Sequence, residues 1–312
     1  MANRIKEKYM AGKRYFDYPM LFLVIFLICF GLVMIYSTSS YKSTVTYGNS
    51  YHWLLRQAVA IVLGAVAMVV CCKLDYRIIK SEKFGNGCYW ASIVLLVLVL
   101  IIGAAKKGAV RWISIAGFQF QPSEVSKILV VIYLANRLSA NAHKIRTFKD
   151  SIVIVLPTVP IIALIVTQNL STALVVCSMI GVMLFVVSPK MKELMLTAGG
   201  GIILLFVYLL TANSYRNERV QIWLHPESHK KGFQTMQALY AIGSGGIFGK
   251  GLGQSMQKMG FIPESHNDMI FSIICEELGL FGAVCLILVF VALIFRMLLI
   301  ALNTEDLFGS LV

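Results

Sequence analysis

Charged side chains are scarce in this sequence. Asp, Glu, Lys and Arg make up only 14% of its 312 residues, whereas 58% of the residues are hydrophobic. This composition excludes an ordinary soluble domain, in which about a quarter of the residues are charged. Several apolar runs are long enough to cross a bilayer. The sequence therefore predicts an all-α fold, namely a polytopic bundle of transmembrane helices.

Acidic residues are the scarcer charged class, with 15 Asp and Glu against 28 Lys and Arg, and the net charge is +13. Such an excess can indicate nucleic-acid binding, but the basic residues fall in short loops between apolar runs rather than on one surface. We therefore predict the membrane, and no nucleic acid, as the surroundings of this chain. The basic residues are interpreted as determinants of topology.

Patterns typical of metal sites and secreted disulfide frameworks are missing. The seven Cys lie mostly in or beside apolar segments and lack the required spacings. The sequence also has no internal repeat, no low-complexity segment and no signal-peptide cleavage site. No metal site and no certain cofactor are predicted, and a divalent cation is left open.

The apolar runs predict about eight transmembrane helices. Basic residues precede the first run, so the positive-inside rule places the N-terminus in the cytoplasm. We expect one transmembrane domain over residues 1–312, with a basic cytoplasmic N-terminus (1–18) and a cytoplasmic end (301–312). The predicted spans run from Pro19 to Tyr36, Trp53 to Cys72, Tyr89 to Ala105, the Pro122 region to Arg137, Ile152 to Val166, Leu170 to Val187, Leu194 to Thr211 and Met269 to Ile300.

The longest predicted loop, residues 212–267, is too long for a simple connection and is expected on the extracytoplasmic side. Its glycine-rich part contains Lys250 and Lys258, a combination that suits an anionic headgroup at the membrane surface. The glycines lack the Lys-Ser/Thr ending of a nucleotide-binding loop. Glu264, His266 and Asp268 follow where the chain re-enters the bilayer, and charge placed there usually has a function.

Three long motifs follow one another along the chain. They are FDYP…GLVMIYSTSS (Phe16 to Ser40), RWISIAGFQFQPSEVSK (Arg111 to Lys127) and GFQTMQALYAIGSGGIFGKGLGQSMQK…PESHNDMIF…EELG (Gly232 to Gly279). In this order they resemble the SEDS family (shape, elongation, division and sporulation), the FtsW/RodA/SpoVE type of bacterial cell-wall polymerase. The FDYP start and the GLGQSMQK form are more similar to the division and sporulation branch than to the elongation branch.

The resemblance implies a peptidoglycan glycosyltransferase in the bacterial cytoplasmic membrane. Such an enzyme polymerises lipid II, the undecaprenyl-pyrophosphate-linked disaccharide peptide, at the extracytoplasmic face. Its implied partner in cell-wall biogenesis is a class B penicillin-binding transpeptidase. Asp268 matches the essential acid of the family, and a carboxylate can take the proton from the acceptor hydroxyl. The alternative for Asp268 is an acid at a helix N-terminus that favours the helix dipole.

Cations on the predicted outer side are not needed for topology, but a lipid-linked pyrophosphate requires them. Arg56 and Arg111 match family motifs and are predicted to bind substrate, because Arg can grip phosphate with two parallel hydrogen bonds. Lys250 and Lys258 are further candidates, for which solvated loop charge is the favoured alternative.

The remaining candidates have a structural alternative beside the functional one. Trp112 either stacks on a sugar or anchors the membrane interface. Glu264 and His266 are assigned to substrate binding, although a lone His is more often a structural hydrogen-bonding group. Glu124 and Lys127 lie three residues apart on one helix and are predicted to form a buried pair; alternatively, Lys127 contacts substrate.

Two features depart from the family pattern. The chain has Gln168-Asn169-Leu170-Ser171-Thr172 where the family has Pro-Asp-Leu-Gly-Thr, so an acid is not expected to act there. The family has ten spans, and we expect the last two to be absent from this sequence.

Two other functions stay open at this point. Polar residues within a helical bundle also describe a pathway for a lipid transporter or flippase, although inverted repeats are not visible. A scaffold that only recruits division proteins is the third alternative, but it would not need Asp268 or the outer cations.

Overall fold

The computed structural model describes residues 16–106, 109–115, 118–145, 147–188, 199–200, 221–228, 232–263 and 265–312. Within these residues, six helical segments are long and apolar enough to cross a membrane, which confirms the predicted helical class. The seventh predicted span, from Leu194 to Thr211, lies almost entirely outside the described residues.

The helices and strands are numbered in chain order. They are α1 (Tyr18–Tyr47), α2 (His52–Lys73), α3 (Glu82–Ile102), β1 (Ala104–Lys106), β2 (Ala109–Ile115), β3 (Phe118–Phe120), α4 (Pro122–Asn141), α5 (Phe148–Val155), α6 (Val159–Gln168), α7 (Leu170–Val187), α8 (Phe233–Ser244), α9 (Ile270–Asn303) and α10 (Leu307–Leu311). Short 3₁₀ turns lie at Tyr76–Ile78, Ala142–Lys144, Leu156–Thr158 and Pro226–Ser228.

Helix α1 is longer than predicted. The Ser/Thr-rich stretch after Tyr36 was expected to be a loop, but the helix continues to Tyr47 and ends at Gly48, whose φ is 68°. Hydroxyl groups on this stretch bond back to carbonyls of the preceding turn, as Thr44 Oγ1 does to Ser40 O at 2.9 Å. Such a bond satisfies the Thr44 hydroxyl without ending the helix. Polarity therefore marked the end of the apolar run and not the end of the helix.

Prolines divide the predicted fifth span. Pro157 and Pro160 lack the N–H that an α-helix needs, so α5 ends at Val155 and α6 begins at Val159 after a 3₁₀ turn. Thr158, fully buried, donates to Val155 O at 2.8 Å. In contrast, α7 covers the predicted range from Leu170 to Val187.

The segment between α3 and α4 was predicted as a loop and contains a three-stranded antiparallel meander in the order β1-β2-β3. Ala104 lies opposite Trp112, and Ile113 lies opposite Phe120. Strand β2, AVRWISI, is rich in β-branched and aromatic residues, which fit a pleated surface. This small sheet does not change the helical class of the fold.

The described residues form two compact units. The first comprises residues within 1–69 and 212–300, and the second comprises residues within 70–211 and 301–312. The core of the second unit lies among α3, α4, α6 and α7, where Leu96, Leu134, Ile161 and Ile165 are fully buried. In the first unit, Met34 of α1 packs with Ile274 and Leu286 of α9.

Candidate functional site

Helix α9 was predicted as one continuous span, but it is interrupted at Gly279, whose φ is 68° and ψ is −170°. The break frees two carbonyl groups in the first part of the helix and two N–H groups in the second part. A residue with a side chain rarely adopts this φ, so glycine at position 279 permits the break.

The glycine-rich loop that follows α8 fills the break. Its backbone provides acceptors for the freed N–H groups of α9 and donors for the freed carbonyls, so the backbone groups are paired. A Cβ atom at Gly249 or Gly279 would collide with the backbone of the opposite segment, which explains why this contact uses glycine. The four bonds are Leu280 N to Gly246 O at 2.9 Å, Phe281 N to Ile247 O at 3.0 Å, Lys250 N to Glu276 O at 2.9 Å and Gly251 N to Glu277 O at 2.9 Å.

Glu277 lies just before the break and is fully buried. Lys258 Nζ is 2.8 Å from its Oε1 atom, and Ser37 of α1 donates to both carboxylate oxygens, at 2.8 and 2.7 Å. Lys258 Nζ also donates to Ser37 Oγ at 3.1 Å. Lys258 is only 5% exposed, so the preference for solvated loop charge was wrong at this position.

Glu276 is also fully buried and has its own set of partners. Lys250 Nζ lies 2.8 Å from Oε1, and Ser255 donates to Oε2 at 2.5 Å. Lys250 additionally donates to Ser244 Oγ at 2.9 Å, so its charge is paired as well. Two adjacent buried carboxylates thus have one ammonium partner each, as buried charges require.

Just before α9, the chain is anchored on α1 and α2. Ser265 Oγ donates to Thr38 O of α1 at 3.3 Å. The ring of His266 is buried, with its centroid 4.7 Å from that of Trp53 on α2. Asp268 follows two residues later, is exposed, and makes no hydrogen bond or ion pair within the described residues. Its carboxylate is therefore open to a ligand.

Arg56 reaches the same cluster. Its Cζ atom lies 5.7 Å from the centroid of the Trp53 ring, within the range of a cation–π contact. The Trp53 ring also packs edge-on against the Tyr47 ring, with 6.3 Å between the ring centroids. The structure thus joins two predicted site residues, Arg56 and His266, through an aromatic ring that the sequence did not single out.

A cavity of about 590 Å³ opens beside the end of α1. Tyr36, Ser40 and Tyr41 line it from the helix, and Leu252 and Met259 line it from the loop. Lys258 is at its wall, where it makes the ion pair with Glu277 described above. Apolar and hydroxyl groups together suit an amphiphilic ligand.

The second unit contains the other candidates. Lys127 Nζ lies 2.7 Å from Glu124 Oε2, so the predicted pair forms. It is not a buried pair, because the side chain of Glu124 is 54% exposed and that of Lys127 is 21% exposed. The reason is position: both residues lie in the first two turns of α4, beside the end of the helix.

The remaining predicted site residues lie in β2 or outside the described residues. Trp112 is half-buried in β2, and Arg111 precedes it in the same strand, with its side chain outside the described part. Glu264 lies outside the described residues altogether. Asn169, at the position where an acid was not expected, caps α7 by accepting from Ser171 N at 3.1 Å. Among the residues described, three or more potential metal ligands do not come together anywhere.

Glu276 and Glu277 lie within the predicted span from Met269 to Ile300, and the sequence analysis assigned no role to either. The signal that could have identified them is the free-energy cost of charge inside a membrane helix, because two ionisable groups there require partners. Lys250 and Lys258, at a distance of 26 and 19 residues, were the available cations.

Comparison with known proteins relates this arrangement to one family. Residues 18–312 match the family FTSW_RODA_SPOVE, described as cell cycle protein. The chain is 36% identical over 304 residues to the probable peptidoglycan glycosyltransferase FtsW of Geobacter metallireducens. This alignment covers 94% of this chain and 79% of that protein. It is 35% identical over 306 residues to stage V sporulation protein E of Bacillus subtilis, with 95% and 82% covered.

Solved structures have the same fold. A chain from a peptidoglycan synthase complex, studied for its coordination of polymerization and crosslinking, superposes with a TM-score of 0.75 at 28% identity, over 96% of this chain and 82% of that chain. The rod shape determining protein RodA of Thermus thermophilus gives a TM-score of 0.63 at 26% identity, with 95% and 80% covered.

Proposed function

The chain belongs to the FtsW/RodA/SpoVE family of cell cycle proteins, and from this membership we infer that it is a peptidoglycan glycosyltransferase of the division and sporulation branch. Two relatives named for that activity or for sporulation each match more than nine-tenths of the chain. A role in division or sporulation is consistent with both names.

The observation that supports the chemistry best is the exposed carboxylate of Asp268 beside an otherwise anchored segment. Glycan polymerisation forms a bond from an acceptor hydroxyl oxygen to the anomeric carbon of the donor sugar. The bond from that carbon to the lipid pyrophosphate breaks, and the pyrophosphate leaves with the electron pair. In our proposal, Asp268 takes the hydroxyl proton, and the acceptor and donor are both lipid II.

Arg56 is the cation proposed to hold the departing pyrophosphate. It lies over the Trp53 ring, and within the described residues its N–H groups have no hydrogen-bond partner, so they are available for a bidentate contact. Arg111 and Trp112 of β2 and Lys127 of α4 stay proposals for further substrate contacts, as does Glu264. Each belongs to the second unit or lies outside the described residues.

In this proposal, three of the predicted substrate-binding residues act instead as positioning residues, namely His266, Lys250 and Lys258. His266 packs against Trp53, and each lysine makes an ion pair with a buried glutamate. These contacts support a role in holding the loop and the Ser265–Asp268 segment rather than a free charge for substrate. The cavity beside α1 is a suitable place for the lipid part of a substrate.

Location and partner follow the same proposal. The positive-inside rule supports a cytoplasmic N-terminus in the bacterial cytoplasmic membrane, with catalysis at the extracytoplasmic face. A similar chain works within a peptidoglycan synthase complex, which supports a class B penicillin-binding transpeptidase as partner.

The test is reconstitution of the purified chain with this transpeptidase and lipid II. Glycan polymer on a gel, dependent on Asp268, is the expected result. Movement of lipid II across vesicles without polymer would instead indicate a transporter, and neither activity would leave a scaffold.

A further inference from the structure

A polar cavity of about 170 Å³ lies in the second unit, between the start of α3 and the end of α4. These helix ends are opposite to those that carry the β meander and the Glu124–Lys127 pair. The proposed polymerisation chemistry does not use this cavity. It is lined by Glu82, Gly85, Asn86, Tyr133, Asn136, Arg137, Ala140 and Asn141.

Asn136 provides a buried acceptor that has no partner. Its side chain is held in one orientation, because Nδ2 donates to Ile79 O at 2.9 Å and to Ile132 O at 3.2 Å. The residue is 5% exposed, and its Oδ1 atom has no hydrogen-bond donor among the described residues. An unpaired buried carbonyl costs free energy, so a donor is expected to occupy the cavity.

Arg137 provides the complementary feature. Its Nε atom is buried without an acceptor, and the guanidinium carbon lies 5.9 Å from the centroid of the Tyr133 ring. Within the described chain, no carboxylate lies within ion-pair distance of this guanidinium. The Tyr133 side chain also hydrogen-bonds with Arg137, but Tyr133 carries no charge that would neutralise the cation. A guanidinium without a carboxylate partner is suited to a phosphate oxygen.

The surroundings are basic, and two of the nearby lysines have partners. Lys80 Nζ lies 2.6 Å from Asp306 Oδ1, and this hydrogen bond lowers the pKa of the Asp306 carboxyl. Lys144 donates to Asn141 Oδ1 at 3.2 Å at the rim of the cavity. Arg137 is thus the cation of the cavity lining, and it has no carboxylate partner among the described residues. The neighbouring basic loops attract anionic lipid.

We propose that this cavity binds the headgroup of an anionic phospholipid that carries hydroxyl groups, such as phosphatidylglycerol. The phosphate accepts from Arg137, and the glycerol hydroxyls donate to Asn136 Oδ1 and to the Glu82 carboxylate. The negative charge of Glu82 would repel a second anionic group, so a neutral hydroxyl suits that side of the cavity. Basic pockets between transmembrane helices are known to take such headgroups. The proposal does not depend on the glycosyltransferase assignment.

The experiment uses the full chain in phosphatidylcholine micelles and titrates phosphatidylglycerol while recording thermal unfolding, with native mass spectrometry to count retained lipid. We expect a saturable rise in melting temperature for the unaltered protein. Arg137→Gln should weaken the apparent lipid affinity about tenfold or more, because a charge-assisted bond is lost. Arg137→Lys, which keeps the charge, should lose less and covers the case in which the Gln variant does not fold.

Arg77→Gln is the matched control, because Arg77 is an exposed cation of the preceding basic segment that does not line the cavity. It should keep the full lipid effect. Equal losses in both Gln variants would show diffuse attraction and overturn the site. The absence of any phosphatidylglycerol effect would also overturn the site and would indicate that the cavity holds only water. Equal protection by inorganic phosphate would overturn the lipid as ligand.

Discussion

Single residues carry the proposed chemistry, and Asp268 is the clearest case. It is exposed and unpartnered in the described chain, so its removal should not affect folding. Sequence reasoning reached Asp268 through its motif, and reached Arg56 in the same way. It missed Trp53, which contacts both Arg56 and His266, because such contacts depend on how helices pack.

We predict that Asp268→Asn abolishes glycan polymerisation and leaves the melting temperature unchanged. The change keeps the shape of the side chain and removes its basicity. Polymer length on a gel and thermal unfolding measure the two effects. Asn267→Ala, which alters an exposed neighbour, should keep polymerisation, and normal polymer from the Asp268 variant would refute the catalytic assignment.

The Glu124–Lys127 pair should contribute little stability, because it is partly exposed. Glu124→Ala and Lys127→Ala are each expected to cost at most about 1 kcal/mol of unfolding free energy. Thermal unfolding and polymerisation measured on the same variants separate two roles. If Lys127→Ala loses activity at unchanged stability, and the double variant Glu124→Lys, Lys127→Glu is stable but inactive, then Lys127 contacts substrate. A loss of several kcal/mol would contradict our description of the pair as exposed.

Buried charge has the opposite consequence at Glu277. Glu277→Ala leaves Lys258 buried without its counter-ion and should cost about 3–5 kcal/mol of unfolding free energy. The double variant Glu277→Leu, Lys258→Met removes both charges and should recover much of that loss. Chemical unfolding in detergent gives the comparison. A double variant as unstable as the single one would show that the hydrogen bonds of Ser37, rather than the ion pair, dominate.

At the scale of elements, the sequence predicted helix bounds well where a helix coincides with an apolar run. It predicted them poorly where backbone hydrogen bonding determines where a helix ends or breaks. The range of α7 was correct, but α1 continued through hydroxyl-rich residues and Pro157 divided the fifth span. The break at Gly279 could not be predicted from α9, because the groups that satisfy it come from a loop about thirty residues earlier. Non-local pairing of this kind leaves no periodic pattern in the sequence.

The glycine contact allows a test of that pairing. Gly279→Ala adds a Cβ atom at a φ of 68° and against the backbone of Gly249 and Ile247, so we expect a loss of about 1–3 kcal/mol or more and reduced polymerisation. Gly243→Ala is the matched control, since that helical glycine has open space around it. It should be neutral or stabilising by up to about 1 kcal/mol. Similar melting temperatures for both variants would contradict the strained contact.

For the whole molecule, composition established the membrane class, and motif order led to the family that covers residues 18–312. Neither indicated that the described chain forms two compact units whose first unit joins residues from both ends of the sequence, such as Ser37 and Glu277. Long-range contacts of this kind follow from packing and are not encoded in any one stretch.

The length of α1 sets the depth in the membrane at which the proposed chemistry would take place. The residues from Ser37 to Tyr47 add about 16 Å of helix beyond the apolar run, and the hydrocarbon core is only about 30 Å thick. Thr38, which holds Ser265, therefore lies near the headgroup level, and Tyr36 and Tyr41 suit the same depth. A lipid-linked sugar would meet Asp268 without being pulled out of the bilayer. If Asp268 is the base, as we propose, the reaction rate should depend on membrane thickness, since a thicker bilayer would submerge the carboxylate and a thinner one would leave the pyrophosphate beneath its reach.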